Sequence, residues 1–109
     1  MSGKYRYKLT ELCQSDMDEA LDYISFHLHN PEAAEAIYLK IEKEITHITK
    51  SPYTRPDCQY YYISDLHYRR SIIGNYVMIY YVDDDNMEIR ILRFLYGKMD
   101  ISNINIEED

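Results

Sequence analysis

HYRRSIIGNYVMIYYVDDDNMEIRILRFLY, residues 67–96, decides the fold. The stretch is rich in β-branched and aromatic residues, which fit a pleated, half-buried surface. Turn chemistry interrupts it twice, at Gly74-Asn75 and at Asp84-Asp85-Asn86. Residues of these types adopt tight hairpin geometry at low cost. The spacing predicts three antiparallel strands over 67–74, 75–83 and 86–96. Strict alternation along the last strand puts Ile91, Arg93 and Leu95 on one face.

Upstream, SPYTRPDCQYYYISDL (51–66) holds two prolines and a tyrosine run, and reads as a loop packed partly on the domain. Before it, Ala34, Ile37, Ile41, Ile45 and Ile48 recur at helical spacing. Pro31 suits the first helical position, where a missing N–H costs little. The helix must stop before Ser51-Pro52. The preceding segment, QSDMDEALDYISFHLHN, has a cap candidate at Ser15, with Asp18 three residues on. Asp16 and Asp18 suit the positive end of that helix. Met17, Ala20, Leu21, Ile24 and Leu28 form its apolar face. Asn30-Pro31 then closes a helical hairpin. At the start, KYRYKLT (4–10) alternates, with Tyr5, Tyr7 and Leu9 opposite Lys4, Arg6 and Lys8, the mark of a half-buried strand.

The predicted order is β-α-α-β-β-β, an α+β fold. The first strand joins the other three in one antiparallel sheet, with the helical hairpin on one face and the other face open to solvent or a partner. A single domain spans 1–109, and 97–109 forms a short C-terminal tail, either a brief edge strand or loose.

The chain has 109 residues, enough for one core. No apolar run approaches the roughly 20 residues of a membrane span, and MSGKYRYKLTE lacks the apolar block of a secretory signal. The expectation is a cytoplasmic protein without a membrane partner. A net charge of −7 disfavours holding nucleic acid by bulk electrostatics. Even so, Arg69, Arg70, Arg90, Arg93 and Lys98 leave room for a local basic face.

Cys13 and Cys58 form no CxxC and read as buried thiols. His27, His29, His47 and His67 show no ligand spacing, and three glycines allow no phosphate loop, so no cofactor or metal is expected. Asp83-Asp84-Asp85 reads as a charged hairpin turn. Thirteen tyrosines and no tryptophan are a strong bias. Tyr76, Tyr80 and Tyr81 belong to a central strand. Tyr60, Tyr61 and Tyr62 are harder to bury together and could stack on a partner.

Four segments together carry a resemblance: YISFHLHNPEAAEAI (23–37), ITKSP (48–52), YRRSIIGNYVMIYYVDDDN (68–86) and IRILRFLYGKMD (89–100). Over about residues 5–102 the chain resembles the RelE/ParE superfamily of toxins from bacterial type II toxin–antitoxin systems, some linked to plasmid stabilization. The resemblance implies a growth-inhibiting toxin held in check by a cognate antitoxin that wraps over sheet edges and the helical hairpin. It also implies one of two targets. ParE-like members bind DNA gyrase, whereas RelE-like members act as ribosome-dependent mRNA endoribonucleases.

For the nuclease, the resemblance points to Arg69, Arg93, Tyr96 and Lys98 as candidate catalytic residues. Cleavage beside a 2′-OH needs groups that activate the hydroxyl, stabilise the phosphate and protonate the leaving oxygen. The chain departs from that pattern at Ser71, Val77 and Met99 and has no tyrosine after residue 96. The ParE-like reading ranks first for that reason. The RelE-like nuclease, and a degenerate toxin that only binds its antitoxin, are the alternatives.

Overall fold

The structure, a computed structural model, describes residues 4–63 and 66–98, the side chains of 59–67 excepted. Its elements are β1 (Arg6–Leu9), α1 (Glu11–Asp22), a π-helical turn (Tyr23–His27), α2 (Pro31–Lys50), β2 (Asp57–Ile63), β3 (Leu66–Ile73), β4 (Tyr76–Asp83) and β5 (Glu88–Tyr96). Both helices pack on a five-stranded, mostly antiparallel sheet of order β1-β5-β4-β3-β2. The expected tail lies, from Met99 on, outside the described residues.

Thr10, not Ser15, starts the first helix. Its hydroxyl accepts a hydrogen bond from the Cys13 amide at 3.0 Å and donates to the Leu92 carbonyl at 2.9 Å. One buried side chain thus satisfies an orphan helix donor and fastens the helix start to β5. Ser15 falls inside α1. At the other end the π-helical turn widens the backbone, and Tyr23 stacks on His27 with centroids 5.3 Å apart. Leu28, expected in the apolar stripe, is turned outward and 55% exposed. His29 takes φ 51°, which redirects the chain into Asn30. The Asn30 side-chain oxygen, Oδ1, caps α2 by accepting from Ala33 N at 3.1 Å, with Pro31 next, as expected. The helix ends at Lys50, before Ser51-Pro52.

The sheet departs from expectation in three ways. First, β1 runs parallel to β5, from Arg6↔Glu88 to Leu9↔Ile91, rather than antiparallel. The helical hairpin leads into β2, which runs opposite to β1, and the three antiparallel steps from β2 to β5 then bring β5 round to the direction of β1. Second, the segment read as a loop contains β2, paired antiparallel to β3 with an irregular register. Its two prolines stay outside the strand, at 52 and 56. Third, β5 is bulged: Ile79 faces Arg93 and Tyr80 faces Ile91, which leaves Leu92 extra. A bulge reverses the alternation beyond it. Ile91 therefore lies in the cluster beneath the helices and Leu95 in the cluster on the opposite face, instead of sharing one.

Each face of the sheet carries a buried cluster. Under the helices, Cys13, Met17, Ile41, Ile45 and Ile48 pack on Met78, Tyr80, Ile89, Ile91 and Phe94. On the reverse, Cys58, Tyr68, Val77, Ile79, Tyr81, Leu92 and Leu95 are all at most 8% exposed. The expected open reverse face is thus occluded within the chain. Both cysteines are buried and neither belongs to a disulfide. Burial pushes the Cys13 thiol up to about 12, the nearby Asp16 charge adds to this, and Arg93 opposes it.

The acidic β4–β5 turn acts as an anchor. Tyr5 donates to the Asp84 carboxylate at 2.6 Å, and the Tyr53 hydroxyl donates to its other oxygen. Hydrogen bonds from Tyr5 and then Tyr53 hold the Asp84 carboxyl below the usual carboxylate range. The N-terminal strand, the 51–56 connection and the hairpin turn meet at this one side chain.

Candidate functional site: a groove at the rim of the sheet

An open groove of about 1030 Å³ lies between the helical hairpin and the β4–β5 rim. Tyr23, Ile24 and Leu28 line it from the end of the first helix, and Ala33, Ile37 and Lys40 from α2. Gly74 and Asn75 at the hairpin turn, and Tyr76, Phe94 and Tyr96 from the strands, complete it. Local sequence explains the shape. The π-helical turn lifts Leu28 off the core, and Gly74, at φ 60°, makes a tight turn under α2. A Cβ at Gly74 would stand 3.2 Å from Ile37 Cδ1, so the missing side chain lets the turn approach the helix.

The groove wall is aromatic. Tyr76 stacks on Phe94 at 4.9 Å and meets Tyr96 edge-on at 5.8 Å. Burial raises the Tyr76 phenol above its ordinary pKa, with Tyr96 and Tyr23 adding to the shift, so it stays neutral. Tyr23 and Leu28, 51% and 55% exposed, form an apolar lip to the groove, and Phe26 in the same turn is 68% exposed. Contiguous exposed apolar surface of this kind marks a docking site more often than a solvent face.

The four candidate residues are distributed unevenly. Arg93 and Tyr96 both line the groove. Arg93 is bound twice by Asp16 of α1, at 2.7 and 2.9 Å, with both side chains about one-tenth exposed. Asp16 also accepts from Phe94 N at 3.0 Å. Its place on α1 suits the helix dipole, but its main partners are on β5. Tyr96 stands at the rim, 43% exposed. Lys98 is exposed just past the strand, after Gly97, whose amide donates to Asn75 O at 2.7 Å. Arg69 is not part of this groove. It faces Tyr80 across the sheet, lies 4.9 Å over the Tyr53 ring and donates to Arg55 O at 2.6 Å. Its guanidinium is also 3.8 Å from the Asp57 carboxylate.

Sequence reasoning passed over Lys40 and misplaced Arg70. Lys40 lies off the apolar stripe of α2, yet it lines the groove. Arg70, expected to share a local basic face with Arg69, is of opposite alternation and points to the reverse face, where its Nε is buried with no hydrogen-bond partner. Strand alternation carried that signal once the partner strands were fixed.

No three His, Cys, Asp or Glu side chains among the described residues converge as metal ligands, and no helix among them is long and apolar enough to cross a membrane. An aromatic, open groove with one internally balanced guanidinium suits an apolar polypeptide segment better than a charged substrate.

The comparisons with known proteins agree on the fold. The family described as the ParE toxin of type II toxin–antitoxin system, parDE, matches residues 7–101. No curated protein sequence matches the chain. The toxin–antitoxin complex RelBE2 from Mycobacterium tuberculosis contains a similar chain at TM-score 0.57 and 17% identity, covering 85% of this chain and 98% of that one. The archaeal RelE–RelB complex from Pyrococcus horikoshii gives 0.53 and 19%, covering 89% and 99%.

Proposed function

This chain belongs to the ParE toxin family of type II toxin–antitoxin systems, and from that premise we propose that it inhibits growth by binding an essential macromolecule such as DNA gyrase. In this reading it works in the cytoplasm and a cognate antitoxin neutralises it by occupying the groove at the sheet rim. The observation that carries the reading is the state of the two arginines. Arg93 is closed into a bidentate pair with Asp16, and Arg69 is spent on Arg55 O, Asp57 and the Tyr53 ring. Stabilising a pentacovalent phosphate needs cations aimed at empty space. The exposed aromatic lip instead suits a protein surface.

Purified protein should inhibit gyrase supercoiling, and loss of that inhibition on adding the antitoxin would complete the picture. Absence of any effect at micromolar protein would remove gyrase as the target.

The nuclease reading keeps one specific support. Tyr96 and Lys98 are both exposed at the end of β5, a phenol and an ammonium at one rim. On stalled ribosomes, messenger cleavage by the wild type that disappears in Lys98→Ala would establish this activity in place of gyrase binding. Growth that continues during induced expression without antitoxin would leave a degenerate toxin that only binds its antitoxin.

A further inference from the structure

The groove does not end at the β3–β4 turn. Gly74 and Lys40 line both it and a second hollow of about 380 Å³, bounded by Lys43, Glu44, His47, Arg55 and Ile72. Gly74, exposed and without a side chain, forms the saddle between the two.

The charges in this second hollow are unequal in availability. Arg55 holds Glu44 by two hydrogen bonds, at 2.6 and 2.9 Å. Burial works against the Glu44 carboxylate, but the Arg55 hydrogen bonds and charge outweigh it and keep its pKa below the usual range. Glu44 and Arg55 therefore cancel. His47 is hydrogen-bonded to Thr54 Oγ1 at 2.9 Å. Lys40 and Lys43 remain, three residues apart and so on one side of α2, both exposed and neither ion-paired with a described residue. Beside them Ile72 is 68% exposed. On a chain of formal charge −7, this is a locally cationic shelf with an apolar floor.

We infer that the shelf receives the acidic part of a linear protein segment whose apolar part lies in the groove, the segment crossing at Gly74. The inference rests on the antitoxin reading and names the chemistry of that partner: apolar side chains first, then carboxylates within reach of Lys40 and Lys43. A long polyanion would meet the acidic field of the whole chain. A short run of carboxylates meets only charges within about 10 Å, the screening distance at moderate salt. The lysines select for charge, while the groove supplies apolar contact area.

The test uses the complex formed by co-expressing the chain with the protein encoded in the adjoining reading frame. Zero-length carbodiimide crosslinking should join Lys40 or Lys43 to carboxylates of that protein and leave Lys50, on the same helix, unlinked. Lys40→Glu with Lys43→Glu should weaken the complex at least tenfold in 50 mM salt, and the difference should shrink in 500 mM salt. Both lysines are exposed, so circular dichroism and thermal midpoint should match the wild type. A complex that forms with both lysines unlinked, or with an affinity indifferent to the double reversal, overturns the inference and leaves the antitoxin reading standing. Absence of any complex overturns both. Binding of a short fluorescent single-stranded oligonucleotide that the double reversal abolishes would assign the shelf to nucleic acid instead.

Discussion

Asp16 on α1 holds Arg93 on β5 through both carboxylate oxygens and accepts the amide of Phe94 with one of them. Three hydrogen bonds thus fix the first helix to the central part of the sheet, at a site about one-tenth exposed. Removing one member of such a pair strands a charge, which costs about 3–5 kcal/mol. Asp16→Ala should lower the unfolding free energy by that amount in urea titrations. Asp16→Leu with Arg93→Met should recover most of the loss, since apolar replacement of a whole buried pair is often neutral. A double variant no more stable than Asp16→Ala would deny the pair its energetic role.

The helix start offers a sharp comparison. Thr10→Ala removes the cap of the Cys13 amide and the bond to Leu92 O, a loss of about 1–2 kcal/mol. Ser15 lies exposed within α1, so Ser15→Ala should change stability by less than about 0.5 kcal/mol. Thermal midpoints of the two variants should separate accordingly, and equal midpoints would contradict the assignment of Thr10 as cap.

On the acid side, Glu44 and Asp84 both have carboxyl pKa values held below their ordinary ones. Groups of this kind stabilise the fold above their unfolded pKa. That stabilisation is lost as pH falls below about 4.5 and through the lowered folded values. Glu44→Gln should remove part of the decline seen in urea midpoints between about pH 5 and pH 2. An identical slope in wild type and variant would refute the contribution of the Arg55 pair.

The alkaline side involves different groups. Burial pushes the Tyr80 phenol up to about 12, with Glu44 adding to the shift and both Arg69 and Arg55 opposing it; the Cys13 thiol likewise lies at about 12. Their neutral forms are favoured in the folded state. Stability is therefore intact below their ordinary values of 9.0 for the thiol and 10.0 for the phenol. It falls as pH rises through those values towards about 12. Tyr80→Phe forfeits the bond to Pro52 O, about 1 kcal/mol at pH 7. The same variant should show a shallower decline between about pH 9 and pH 12, measured by fluorescence-monitored unfolding.

Local signals made much of the fold legible. Gly74-Asn75 and Asp84-Asp85-Asn86 named both hairpin turns, and the spacing from Ala34 to Ile48 named α2, because turn chemistry and helical periodicity act over a few residues. Non-local relations were hidden. The partner of β1 is β5, some 80 residues on, and nothing in RYKL states whether that pairing is parallel. Strand β2 begins directly after Pro56, within a stretch whose prolines and tyrosine run resembled a loop. The bulge at Leu92 is invisible to an alternation rule, and it changed the face assigned to Leu95. In the groove, Arg93 and Tyr96 were visible as rim residues of the last strand. Leu28 and Lys40 were not, because a π-helical turn and the approach of α2 to Gly74 bring them there.

The strand order has a consequence for how the protein comes into being. Strand β5, the last described element, sits between β1 and β4 and is the neighbour that connects the first strand to the rest. A nascent chain ending before Glu88 thus has an N-terminal strand with nowhere to dock and a central hairpin lacking half its pairing. Ribosome-bound fragments should stay sensitive to protease until β5 has left the exit tunnel. Maturation of the molecule therefore waits on the emergence of β5 instead of advancing strand by strand.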